Sequence, residues 1–317
     1  MRSDSGVDVR AQADALRGFG RAPVSLALYS LLRGNHDRVI LTGAGASHIA
    51  ALPSWRRLAS RGMAVTWIDA GQLIDSPGLI TPDSMLIVTS RSGSNSDVIA
   101  LVETFSDTTR PAVIIAVTDE LASPLARVSD GEILLRSHTP AASRGFLNAL
   151  AAHNYIASMI LGEDNDDVMS TARVVAAITF PGDLAQLAAD VTANPEPGVT
   201  YVGFGEHAAT ALYAALLTQE TTQVAATGYP SDRFDTHAAT ETRRGSTAVL
   251  FAGRDPEHNT RAGELAADLA SAGAEVVLVG GPDVDRATCI RCPTGHLSAQ
   301  VAHSVIIAEH FVSSLAA

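Results

Sequence analysis

The segment Ser90-Arg91-Ser92-Gly93-Ser94-Asn95-Ser96 sets four hydroxyls, an amide and a glycine within seven positions. A bound phosphate asks for such a set: short donors, backbone that can approach closely, and the positive end of a helix dipole. The segment follows the apolar run MLIVTS and precedes DVIALVETFSD, whose apolar residues recur at helical spacing. It therefore lies where a strand hands over to a helix, with Asn95 or Ser96 at the helix start. A second loop, Gly43-Ala44-Gly45-Ala46-Ser47, follows the run RVILT and puts Ser47 at another helix entrance. Two such loops at the carboxyl ends of parallel strands make a crevice for an anion. Serine and glycine also cap helices and fill turns without binding anything; their presence at corresponding strand ends favours the anion. A rival reading takes Gly43-Ala44-Gly45 as the start of a dinucleotide fingerprint, with Asp69 on a ribose hydroxyl. His48 stands where its third glycine belongs, and it has little use for the serine loop.

The rest of the composition narrows the chemistry. The 317 residues include 22 basic ones, every one an arginine, so this chain forms no lysine Schiff base and has no ammonium proton shuttle. The net charge of −12, with scattered arginines, offers neither a nucleic-acid track nor a footprint for an anionic membrane. The expected partner is a small molecule. No signal-peptide core and no membrane-length apolar run is present, so a cytoplasmic protein is expected. Cys289 and Cys292 form a lone CxxC without the second ligand pair of a zinc site, and the acidic run GEDNDD lacks calcium-loop spacing. No metal and no cofactor is expected.

The elements that must hold the loops are short β-branched runs alternating with longer amphipathic ones, the pattern of a doubly wound parallel sheet. In the first half the strands read RVILT, AVTWID, MLIVTS, AVIIAVT and EILLRS; in the second they read VTYVG, QVAAT, TAVLFAG, EVVLVG and ATCIRC. The expected organisation is a helical segment over 1–24, a first domain over 25–162, a connector over 163–197 and a second domain over 198–317. The second half looks like another copy of the first, with GFGEHA and AGRDPEHN at the places of the two loops. There acids replace hydroxyls: Glu206 or His207 stands for Ser47, and Asp255 and Glu257 for the serine cluster. Carboxylates repel an anion, so the first copy alone is expected to bind phosphate.

GAGAS, TSRSGSNSD and AASRGF at the head of a long helix resemble the phosphosugar-binding loops of the sugar isomerase (SIS) domain family. From about residue 25 onward the chain is similar to double-SIS proteins: the isomerase half of glucosamine-6-phosphate synthase, sugar-phosphate deaminase/isomerases and fructosamine-6-phosphate deglycases. The resemblance implies an α/β fold of two tandem SIS-type, doubly wound (flavodoxin-like) domains. It also implies phosphosugar contacts from Gly45, Ala46, Ser47, Ser90, Arg91, Ser92, Gly93, Ser94, Asn95 and Ser143. It makes Glu220 the base that moves a proton between C1 and C2. His237 becomes the ring-opening residue, reaching the site from the other subunit of a homodimer. Burial in a closed sugar pocket would suit Glu220 to that task. The synthases' lysines near the glutamate and their C-terminal tail have no counterpart, since Leu217 precedes Glu220 and the chain ends in EHFVSSLAA. Isomerisation, deamination or deglycation of an amino-sugar or ketosamine 6-phosphate is the reaction class expected. A sugar-phosphate sensor without turnover is the alternative.

Overall fold

The computed structural model describes residues 7–22, 25–105, 110–137, 142–164, 168–234 and 245–317. The chain divides into two compact units, one of residues 14–169 and the other of 170–317 together with the segment before residue 14.

In the first unit, β1 (Val39–Gly43), β2 (Val65–Trp67), β3 (Met85–Thr89), β4 (Val113–Thr118) and β5 (Gly131–Leu134) form one sheet in the order β2-β1-β3-β4-β5. Every pairing is parallel. β1, β3 and β4 are buried along their whole length, which is why they read as unbroken apolar runs rather than alternating ones. On one face Ile40, Leu86, Val88, Ile114 and Ala116 pack against Leu73, Val98, Leu101 and Leu125 from the covering helices. Those helices start on side chains that accept the orphan amides: Asp69 before Ala70–Ile74, Asn95 before Ser96–Glu103 and Ser123 before Pro124–Val128. The long helix Ala142–Leu161 closes the unit.

The second unit repeats the plan. β6 (Val199–Gly203), β7 (Ala226–Pro230), β8 (Thr247–Gly253), β9 (Glu275–Gly280) and β10 (Ala287–Ile290) are ordered β10-β9-β8-β6-β7, again all parallel. β6 therefore takes the place of β1, and β8 that of β3. Successive residues point to opposite faces and feed separate cores. Tyr201, Val249, Phe251 and Val277 meet Leu184, Ile307 and Phe311, while Val202, Leu250 and Leu278 meet Ala262, Ala266 and Leu269.

One expected strand is displaced. The run QVAAT does not start the edge strand; β7 begins at Ala226 and uses ATGYP. Val224 is instead buried in the core before the strand begins. Gly228 lets β7 lie against the helix Ala208–Thr221, where a Cβ would come within 2.6 Å of the Ala211 carbonyl oxygen. Among the described residues no helix is long and apolar enough to cross a membrane. The CxxC cysteines belong to strand and loop, as ATCIRCP implied. Cys289 lies on β10, and burial pushes the Cys292 thiol up to about 11.

Candidate anion-binding site

The order β2-β1-β3 makes the junction of β1 and β3 the point where chain connections diverge to opposite sides of the sheet, and both candidate loops emerge there. Their roots touch: a Cβ on Gly43 would stand 2.7 Å from the Thr89 carbonyl oxygen. Gly45 has a φ of 55°, a left-handed turn that glycine adopts without strain, and leads into the short helix Ala46–Ile49. Ala46 and Ser47 are half-buried there. The Asp69 of the dinucleotide reading is engaged at home, its carboxylate accepting from the Gly71 amide at 2.9 Å.

The serine loop is pinned from one side. The Ser90 carbonyl accepts from the Gly93 amide at 3.0 Å, and that of Gly93 from the Leu125 amide at 3.2 Å. The Arg91 carbonyl accepts from the Asp119 amide at 2.9 Å and from the Thr118 hydroxyl at 3.1 Å. With these oxygens engaged, the groups facing outward are donors. Ser92, Ser94 and Asn95 are exposed, whereas Ser90 is buried at the root. Arg91 and Ser92 donate their amides to no described residue. Gly93 could be nothing else: its φ is 59°, and a Cβ would fall 2.1 Å from Ser123 Oγ. Asn95 caps the helix Ser96–Glu103, its Oδ1 accepting from the amides of Asp97 and Val98 at 3.0 and 3.3 Å. Arg91 is exposed, and its Cδ is 3.0 Å from where a Cβ on Gly145 would lie, so this side chain rests on the head of Ala142–Leu161. Ser143 is in the first turn of that helix, and its side chain lies outside the described residues.

The second unit keeps the scaffold and changes the chemistry. Gly205 repeats the left-handed turn of Gly45, with φ of 56°, which aligns Ser47 with His207. The register aligns Thr89 with Phe251, since Gly43 pairs with the first and Gly203 with the second. Five residues separate Thr89 from the capping Asn95, while three separate Phe251 from Asp255, which caps Pro256–Ser271. Backbone amides, that of His258 foremost, hold the Asp255 carboxyl below its ordinary range, so a fixed anion occupies the helix start. A cavity of about 330 Å³ in this unit lies at the amino ends of β9 and β10, and its lining includes Asp183, Asp190 and Glu275. Neither its place nor its charge suits a phosphate.

Residues 31–161 match the SIS domain family. This part of the chain is a SIS domain. Over the whole chain the structure is similar to the C-terminal domain of glucosamine-fructose-6-phosphate aminotransferase from Francisella tularensis, at 15% identity and a TM-score of 0.80, covering 97% of this chain and 92% of that one. It is similar also to tagatose-6-phosphate ketose/aldose isomerase from Escherichia coli, at 20% identity and a TM-score of 0.79, covering 97% and 90%. A third such structure is glucosamine-6-phosphate deaminase from Thermotoga maritima, at 17% identity and a TM-score of 0.68, covering 96% and 91%. No curated protein matches the sequence. The fold is that of the SIS-type phosphosugar isomerases, and both serine-bearing loops fall inside the SIS domain.

The two residues expected to do the chemistry are placed differently. Glu220 is exposed near the end of Ala208–Thr221, so the described residues do not supply the burial that its role asks for. His237 lies outside the described residues. Sequence reasoning missed the clasp on the serine loop. Thr118 and Asp119 hold its carbonyl, and the Asp119 carboxylate also accepts from the amide and the hydroxyl of Ser137. A spacing of 18 residues between Asp119 and Ser137 carries no local signal.

Proposed function

We propose that this chain binds a sugar 6-phosphate in the first unit and isomerises, deaminates or deglycates it, the sugar being an amino sugar or ketosamine. The observation that carries the reading is the orientation of the serine loop. The Arg91 and Gly93 carbonyls are held by residues at the end of β4 and beyond it, and that of Ser90 by the loop's own Gly93 amide, while hydroxyls and the Arg91 and Ser92 amides are left at the start of a capped helix. A phosphate there takes donors from Ser47, Ser92, Ser94 and the loop backbone, with Arg91 supplying charge. The strand order supports describing both units as flavodoxin-like SIS domains. In this reading Glu220 carries the proton between C1 and C2, and His237 assists ring opening from the partner subunit of a cytoplasmic homodimer. The likeness to solved sugar-phosphate isomerases and a deaminase supports the reaction class.

A panel of hexose and hexosamine 6-phosphates, assayed for isomerisation and for ammonia release, tests the proposal. Turnover of at least one member, lost in Glu220→Gln, is expected; turnover of none, or an unimpaired Glu220→Gln enzyme, would refute the catalytic part. The exposure of Glu220 and the leucine at position 217 favour a second reading, a phosphosugar binder without turnover. Thermal stabilisation by a panel member with no product formed would select it.

A further inference from the structure

Beneath the crevice lies a buried polar group that the proposed chemistry does not use. Thr42 and Thr89, at the ends of β1 and β3, are fully buried, as is His153 on Ala142–Leu161. His153 Nε2 is 2.8 Å from Thr89 Oγ1, while His153 Nδ1 and Thr42 Oγ1 have no hydrogen-bond partner among the described residues. His48, at the end of the first loop, stacks on Trp67 with ring centroids 4.2 Å apart, and its Nδ1 is likewise buried without a partner among the described residues. Burial, with His48 opposing a second charge, pushes His153 down to about 3, so its ring is neutral and carries one N–H. On Nδ1 that proton would be an orphaned donor; on Nε2 it is bonded. His153 therefore donates to Thr89 through Nε2.

An aliphatic side chain would fill this space without desolvating an imidazole. The duplicated unit shows what goes with the hydroxyl. There an Ala-His pair recurs at 302–303 on Leu297–Leu315, but Phe251 stands where Thr89 would be, and His303 Nδ1 has no partner among the described residues. The histidine is present in both units, whereas threonine accompanies it in the unit with the serine loop.

We propose that His153 is a positioning residue for phosphate binding, fixing through Thr89 the point at which the serine loop leaves β3. The helix that carries it also places Gly145 under Arg91, so one rigid element sets both the root and the flank of the loop. This rests on the phosphosugar reading of the crevice and adds that affinity is set from behind the loop.

The test is calorimetric titration of the full chain with inorganic phosphate. His153→Leu and the near-isosteric Thr89→Val should each weaken binding about tenfold, the worth of one buried hydrogen bond, and the double variant should be no weaker than either. His153→Gln, which keeps a donor, should recover most of the loss. Leu101→Ala, a core substitution on the opposite side of the helix Ser96–Glu103 from solvent, should lower the melting temperature yet keep the wild-type affinity at 15 °C below its midpoint. Wild-type affinity in Thr89→Val, additive losses in the double variant, or a parallel loss in Leu101→Ala would overturn the proposal alone. A wild-type protein that does not bind phosphate would overturn the reading of the crevice and this proposal with it.

Discussion

Acid should destabilise this protein from about pH 6.5 downward, through its buried histidines. Burial pushes His153 and His207 down to about 3 and His303 to about 4. These are bases whose folded pKa lies below the unfolded value of 6.5. Their contribution is intact above pH 6.5 and is lost as the pH falls from there towards 3 to 4, because the unfolded chain binds protons that the folded one refuses. At about pH 5.5 the unfolded form of each is some ten-elevenths protonated, which costs about 1.4 kcal/mol per histidine relative to pH 8. That figure hardly depends on how far below 4.5 the folded value lies. One such residue belongs to the first unit and two to the second, so the losses are about 1.4 and about 2.8 kcal/mol. His48 and His310, also lowered by burial, add in the same direction. Glu163 and Asp255 are held below their ordinary range, by the Arg57 guanidinium and by backbone amides, so both stay ionised at about pH 5.5 and at about pH 8. Urea unfolding at about pH 8 and pH 5.5 reads the difference. The sum should be about 4 kcal/mol or more, and His153→Leu should remove about 1.4 of it. A total below about 1 kcal/mol, or an acid response unchanged in His153→Leu, would refute the claim that these rings are buried and neutral.

Two substitutions separate the fold of the serine loop from its binding. Gly93→Ala drives a methyl into Ser123 at a left-handed φ and should cost roughly 2–4 kcal/mol in urea titration together with phosphate binding; a variant of wild-type stability would contradict the close approach. Asn95→Asp keeps a good helix cap and should leave the melting temperature within a degree or two, yet it sets a carboxylate against the ligand and should weaken phosphate binding at least tenfold. Equal affinity in the two proteins would place the anion elsewhere.

The layered fold was legible because its signals are local. β1, β3 and β4 are continuous apolar runs, and Asn95 stands at the hand-over from loop to helix, so strand, loop and cap could be read in order. The edge strand β7 was misplaced by three residues because ATGYP has no β-branched run and is held by a glycine's approach to a neighbouring helix. Of the site, the hydroxyl donors and the contrast with Asp255 were visible in the two half-sequences. The clasp by Thr118, Asp119 and Ser137 was not, nor was the bond from His153 to Thr89, which joins residues 64 apart. Such contacts depend on how helices settle on a sheet, and no periodicity encodes them.

The shorter connection after Phe251 limits what the second unit can become. A unit that had merely exchanged serines for acids could regain them one substitution at a time. One that is two residues short between strand and cap cannot, because no replacement of side chains supplies the backbone needed to arch over an anion. Where two units share a strand order, the length of a single loop thus limits what side-chain replacement alone can make of one of them. An engineer wanting a second site would have to insert residues there before choosing any.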